Sequence, residues 1–161
     1  MKNYIIDSHC HLDLIEEKNL DLTEVFQNCQ NNNVRILQTI CTRVTDIERL
    51  LNYTKRHDFI YSSYGIHPCN VGDQPHLKAE EIIKFCNLHE KIVGIGETGL
   101  DYYHDLSNVA LQKKMFIAHI EAARQTKLPL IIHSRNCDAD MIDILQVEQK
   151  NGEFTALLHC F

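Results

Sequence analysis

Six short apolar runs recur along the 161-residue chain, near residues 3–8, 34–41, 59–66, 91–97, 130–133 and 154–158. Between them, near 21–32, 45–57, 78–89, 109–126 and 138–150, apolar residues return at three- and four-residue spacing, the mark of helices. Strand-like and helix-like segments therefore alternate, which predicts an α/β fold of parallel strands joined by right-handed helical crossovers. The runs show little polar alternation, as expected of strands covered on both faces. Local signals agree with these limits. Asn31-Asn32-Asn33 can close a helix in the left-handed conformation, and Thr45 or Asp46 is placed to cap the next one. Pro68 must stop the third strand, Pro129 breaks the longest helix, and Gly152 ends the last.

Four of the runs close on side chains that can bind a metal. The first is Ile5-Ile6-Asp7-Ser8-His9-Cys10-His11-Leu12-Asp13. On a strand of period two, His9 and His11 share a face and Cys10 points away. Asp7 and Asp13 are the nearest carboxylates to orient their rings. The others are Ile92-Val93-Gly94-Ile95-Gly96-Glu97, Leu130-Ile131-Ile132-His133-Ser134-Arg135 and Thr155-Ala156-Leu157-Leu158-His159-Cys160. Packing alone does not explain four strand ends of this kind. Parallel α/β folds, whether barrels or open sheets, carry their chemistry at the C-terminal ends of strands. Gly94-x-Gly96-x-x-Gly99 spells a dinucleotide fingerprint, but Glu97 and Asp101 would repel a pyrophosphate.

A formal net charge of −6 and a pI near 5.9 argue against nucleic-acid binding through a broad basic surface. They leave open an enzyme that meets phosphates through bound cations. The seven cysteines, at 10, 29, 41, 69, 86, 137 and 160, form no CxxC pair, so free thiols in a reducing cytoplasm are expected. The N-terminus enters a strand without a signal-peptide pattern, and no apolar run nears the roughly 18 residues of a membrane helix.

Five motifs together resemble the TatD family of metal-dependent deoxyribonucleases. They are Asp7-Ser8-His9-Cys10-His11-Leu12-Asp13, Gly65-Ile66-His67-Pro68, Gly96-Glu97-Thr98-Gly99-Leu100-Asp101-Tyr102, His133-Ser134-Arg135 and Leu158-His159-Cys160-Phe161. The resemblance implies a (β/α) TIM-type barrel with about six of its eight β/α units present. It implies two divalent ions (Mg, Mn, Zn or Co), with His9 and His11 on one, His133 and His159 on the other, and Glu97 bridging them. Such a pair activates water and clamps a phosphate. Glu97 and Arg135 are the expected catalytic residues, Arg135 through its planar fork. His67, Asp101, Tyr102, Ser134 and Arg135 are expected on the substrate wall, with Tyr102 and Tyr103 able to stack on a base. His57, His76, His89 and His104 are expected in solvent, and His119 in a structural hydrogen bond.

The implied activity is cleavage of DNA, at single strands or ends, by an exonucleolytic hydrolase. The same chemistry also serves ester or amide hydrolysis, such as removal of an aminoacyl group from tRNA. Cys69 stands where the family often has a second His. The family pattern also continues with two more β/α units and an Asp within Glu-Thr-Asp. The expectation is a single hydrolase domain over 1–161 that is either an inactive truncated remnant or completed by a second chain.

Overall fold

The computed structural model describes residues 3–104 and 106–159. Its elements are β1 (Ile5–Cys10), α1 (Leu12–Glu17), α2 (Leu22–Asn31), β2 (Val34–Thr39), α3 (Ile47–Arg56), β3 (Ile60–Tyr64) and α4 (Ala79–Leu88). β4 (Ile92–Asp101), α5 (Val109–Thr126), β5 (Leu130–Arg135), α6 (Asp138–Asn151) and β6 (Ala156–His159) follow. The six strands pair in chain order and all in parallel. A flat sheet would hold β1 and β6 about five strand spacings apart, roughly 24 Å. Instead the rings of His9 on β1 and His159 on β6 stack with centroids 3.4 Å apart. The sheet is therefore curled into a partial barrel, as the family resemblance implied, rather than left as an open sheet.

The main core lies between the sheet and α3, α4, α5 and α6. Leu50, Leu51, Ile82, Met115, Phe116, Ile120, Leu130 and Ile132 fill it, each at most 2 % exposed. A smaller cluster of Leu12, Phe26, Leu37, Tyr53 and Ile60 joins α1, α2 and α3 to the first strands. At the rim of the curl, apolar side chains of β1 and β6 face outward: Ile5 is 55 % exposed, Ile6 51 %, Leu157 45 % and Leu158 43 %. Among the described residues, each of these two strands has a partner on one side only.

Asn33 takes a φ of 61° and Gly152 closes α6, as expected, and Asp21 accepts the Thr23 amide at the start of α2. Neither Thr45 nor Asp46 caps α3 with its side chain; Gln74 takes the Thr45 amide instead. Two limits needed correction. The stretch after His11, where the sequence pattern marks no element before residue 21, is the six-residue helix α1. It is too short to show periodicity and is held by Arg49 of α3, which reaches Glu16, Glu17 and the Asp13 carbonyl. β4 does not stop at Glu97 but runs to Asp101. Gly96 (φ 129°) and Gly99 (φ 141°) occupy backbone that side-chain-bearing residues rarely adopt. Pairing slips between Ile95 and Thr98, then resumes as Gly99 with His133 and Asp101 with Arg135. This bulge is what carries Asp101 into the barrel mouth.

Candidate metal centre

Glu97 sits at the middle of the strand ends, 3 % exposed. Its two oxygens face different imidazoles: Oε2 lies 3.4 Å from His9 Nε2, and Oε1 lies 3.2 Å from His133 Nδ1. The ligand-capable atoms of His9, Glu97 and His159 all fall within 4.8 Å of one another, and so do those of His67, Glu97 and His133. A cavity of about 310 Å³ opens over them, lined by His11, Leu14, Thr42, His67, Asn70, Glu97, His133 and His159. A larger hollow of about 520 Å³ beside Phe26, Tyr53 and His57 lies away from these groups.

The electrostatics suit a cation. Burial pushes the Glu97 carboxyl up, but His133 and His9 against its two oxygens prevail and hold it well below the usual carboxylate range. Burial lowers His67 to about 4 and also lowers His11 and His159, with Glu97 opposing. These rings are neutral at pH 7, the form that ligates metal. His133 goes the other way: burial lowers it, yet Glu97 and Asp101 on its two nitrogens outweigh that and raise it. His9 Nδ1, His9 Nε2 and His11 Nδ1 are buried without a hydrogen-bond partner among the described residues. Buried imidazole nitrogens left without partners beside an anionic carboxylate fit a divalent metal better than they fit a packed core.

The arrangement differs from the expected one in its pairing. His9 joins His159, not His11, because the curl stacks the end of β1 on the end of β6. His11 lies edge-on to His9 at 5.2 Å and lines the cavity outside both groups. His67, expected on the substrate wall, enters a ligand group with His133, and its ring meets that of His133 at 4.3 Å. Asp7 reaches the His9 amide instead of a ring, and Asp13 is buried with Oδ1 unpartnered among the described residues. Cys10 does point away, donating its thiol to the Gln38 carbonyl, and burial raises it to about 12.

The wall residues are mostly engaged elsewhere. Arg135, the last residue of β5 and paired with Asp101, is exposed and lies over the Tyr103 ring at 4.2 Å, outside the cavity lining. Tyr102 donates to Asp140 at 2.6 Å and packs on the core, and Ser134 Oγ faces Cys137 Sγ. Asp101 is fully buried and contacts His133 and His104. His104 is therefore not simply solvated, as expected; its Nδ1 lies 2.9 Å from Asp101. Thr42, Asn70 and Leu14 line the cavity without any signal in the sequence marking them. Cys160 and Phe161 of the last motif lie outside the described residues.

The family model described as TatD related DNase matches residues 6–161. The chain belongs to the TatD-related DNase family. An uncharacterized metal-dependent hydrolase of Buchnera aphidicola subsp. Baizongia pistaciae is 36% identical across 98% of this chain and 59% of its own length. The uncharacterized metal-dependent hydrolase YabD of Bacillus subtilis is 34% identical, over 98% of this chain and 60% of its own. The human deoxyribonuclease TATDN3 is 26% identical, over 98% and 60%. The crystal structure of YJJV, a TatD homologue from Escherichia coli K12, superposes with a TM-score of 0.85 at 23% identity. It is covered over 60% of its length and 98% of this chain, which confirms the barrel-type fold. The chain thus spans about 60% of the curated relatives it matches. Membership makes this TatD-related chain part of a metal-dependent hydrolase family. Among its described residues no helix is long and apolar enough to cross a membrane.

Proposed function

We propose that this chain binds two divalent ions and hydrolyses DNA phosphodiester bonds exonucleolytically, at single strands or free ends, in the cytoplasm. The observation that carries the reading is Glu97, whose two oxygens face two separate imidazole groups. His9 and His159 with one oxygen form the first ligand set, joined by His11 from the cavity wall. His67 and His133 with the other oxygen form the second. Divalent ions there, of the Mg, Mn, Zn or Co class, supply Lewis acidity that activates water and neutralises phosphate charge. The protein's own part is positional. Glu97 holds the two sets in register from one buried strand, and its anionic state needs no external base.

Thr42 and Asn70 offer polar atoms at the cavity wall for a phosphate oxygen. Arg135, stacked on Tyr103, offers a cation and an aromatic face further out for the nucleotides that follow. The open apolar faces of β1 and β6 fit two further β/α units, in the same chain or in a second one. Single-stranded DNA with Mn²⁺ tests the reading. Release of nucleotides, lost with chelator and lost by at least about a hundredfold in Glu97→Gln, is the expected result, on the scale of removing a metal-organising group. Equal turnover by Glu97→Gln would reject the site.

A further inference from the structure

We infer that Asp101 selects the tautomer of His133, taking the hydrogen of Nε2 so that Nδ1 presents its lone pair beside Glu97. The inference rests on the metal-centre reading above and names what prepares one of its ligands.

The Asp101 carboxylate is built to be an acceptor of fixed orientation. It is fully buried, and its main chain is clamped by Gln112 of α5, whose side chain accepts the Asp101 amide at 2.9 Å and donates to its carbonyl at 3.2 Å. Oδ1 accepts the amides of Tyr103 at 2.9 Å and His104 at 2.8 Å. Those two backbone donors decide which oxygen turns inward. Oδ2 is the one left, 3.0 Å from His133 Nε2 and 2.9 Å from His104 Nδ1. No Lys or Arg forms a salt bridge with Asp101 among the described residues, so its inward charge acts on the two imidazoles.

In its neutral form, the one that ligates a cation, an imidazole carries one hydrogen, on one nitrogen. An ionised carboxylate can only accept, so a carboxylate against Nε2 claims that hydrogen there. Nδ1, 3.2 Å from Glu97, is then the nitrogen free to ligate. Carboxylates of this kind behind ligating histidines tune affinity, and their loss costs about 10- to 100-fold. Asp101 is thus a positioning residue for His133. It was expected to touch substrate, but the bulge of β4 turns it onto the back of the ring instead.

The test compares Asp101→Asn with Asp101→Ala. In Asn the two backbone amides keep the oxygen, so the amide nitrogen, a donor, faces His133 Nε2. That makes Nε2 the acceptor and moves the hydrogen to Nδ1, blocking ligation; an Asn replacing a His-orienting Asp inverts the tautomer in this way. Ala leaves Nε2 open to water and the tautomer free. Zn²⁺ affinity by competition with a chromophoric chelator is expected to fall about tenfold in Asp101→Ala and at least about tenfold further in Asp101→Asn, within the range for orienting partners. A role in packing alone predicts the reverse order, since Asn keeps the shape. Long-range ¹H–¹⁵N correlations of the zinc-loaded wild type, which need no variant to fold, should show His133 protonated at Nε2. Protonation at Nδ1, or Asn binding zinc as well as Ala does, would overturn the inference while leaving the centre intact. No zinc uptake by the wild type would overturn the metal-centre reading and this one with it.

Discussion

His119 should report a single proton in the stability of the fold. The residue lies on α5, fully buried, with Nδ1 2.7 Å from the Met115 carbonyl. Its Nε2 accepts the Ile66 amide at 3.3 Å, next to the chain segment that presents His67. The first bond needs a hydrogen on the ring and the second needs a lone pair. Only the neutral Nδ1–H form satisfies both, and burial lowers the pKa to about 4. Against an ordinary value of about 6.5 the gap is about 2.5 units, or about 3 kcal/mol at about 1.36 kcal/mol per unit. The unfolded chain takes up this proton below about 6.5, whereas the folded chain does so only near 4. The stabilisation is therefore complete above pH 6.5 and is lost as pH falls through that window. Urea unfolding in chelator, from pH 7 to 4, measures it against His119→Gln. His67, also lowered to about 4, titrates in the same window in both proteins, so the difference between them isolates His119. Glu97 and Asp101 are held below the usual carboxylate range, so their contribution is lost mainly at lower pH. The wild type should lose about 3 kcal/mol more than the variant across the window, for one proton at about 2.5 pH units. Parallel pH curves for the two proteins would refute the reasoning.

Two further perturbations probe the frame of the site. Gly99→Ala puts a side chain on backbone at φ 141° and drives its Cβ into the His133 carbonyl. Loss of at least about 2 kcal/mol in urea unfolding is expected from strain and clash together, and a neutral outcome would mean the bulge of β4 adapts. Arg135→Ala removes an exposed guanidinium from the Tyr103 ring and should change stability by no more than about 1 kcal/mol. Because Arg135 lies outside the cavity lining, Zn²⁺ affinity measured by calorimetry should stay unchanged; a tenfold loss would place Arg135 at the metal ligands after all.

The parallel sheet was legible because each apolar run is short, unalternating and followed by a helical pattern, and these are local properties. That His9, Glu97, His133 and His159 lie toward the C-terminal ends of the strands was legible for the same reason, although β4 and β5 run on to Asp101 and Arg135. What local reading could not supply was which end meets which. Period two puts His9 and His11 on one face of an unbroken strand, but β1 ends at Cys10, and the curl of the sheet stacks His9 on His159. The run Thr98-Gly99-Leu100-Asp101 carries turn-forming residues, and so reads as a loop. In the fold its glycine is there because β5 passes too close for a side chain, and the strand continues. Asp101 inherits its place from that continuation. Two residues beyond Gly99, it reaches the back of the His133 ring, whereas a loop would have left it at the cavity rim. The local pattern thus identifies the donor atoms. Their partition into two sets around Glu97, and the acceptor behind His133, are consequences of how far the sheet curls and where it bulges.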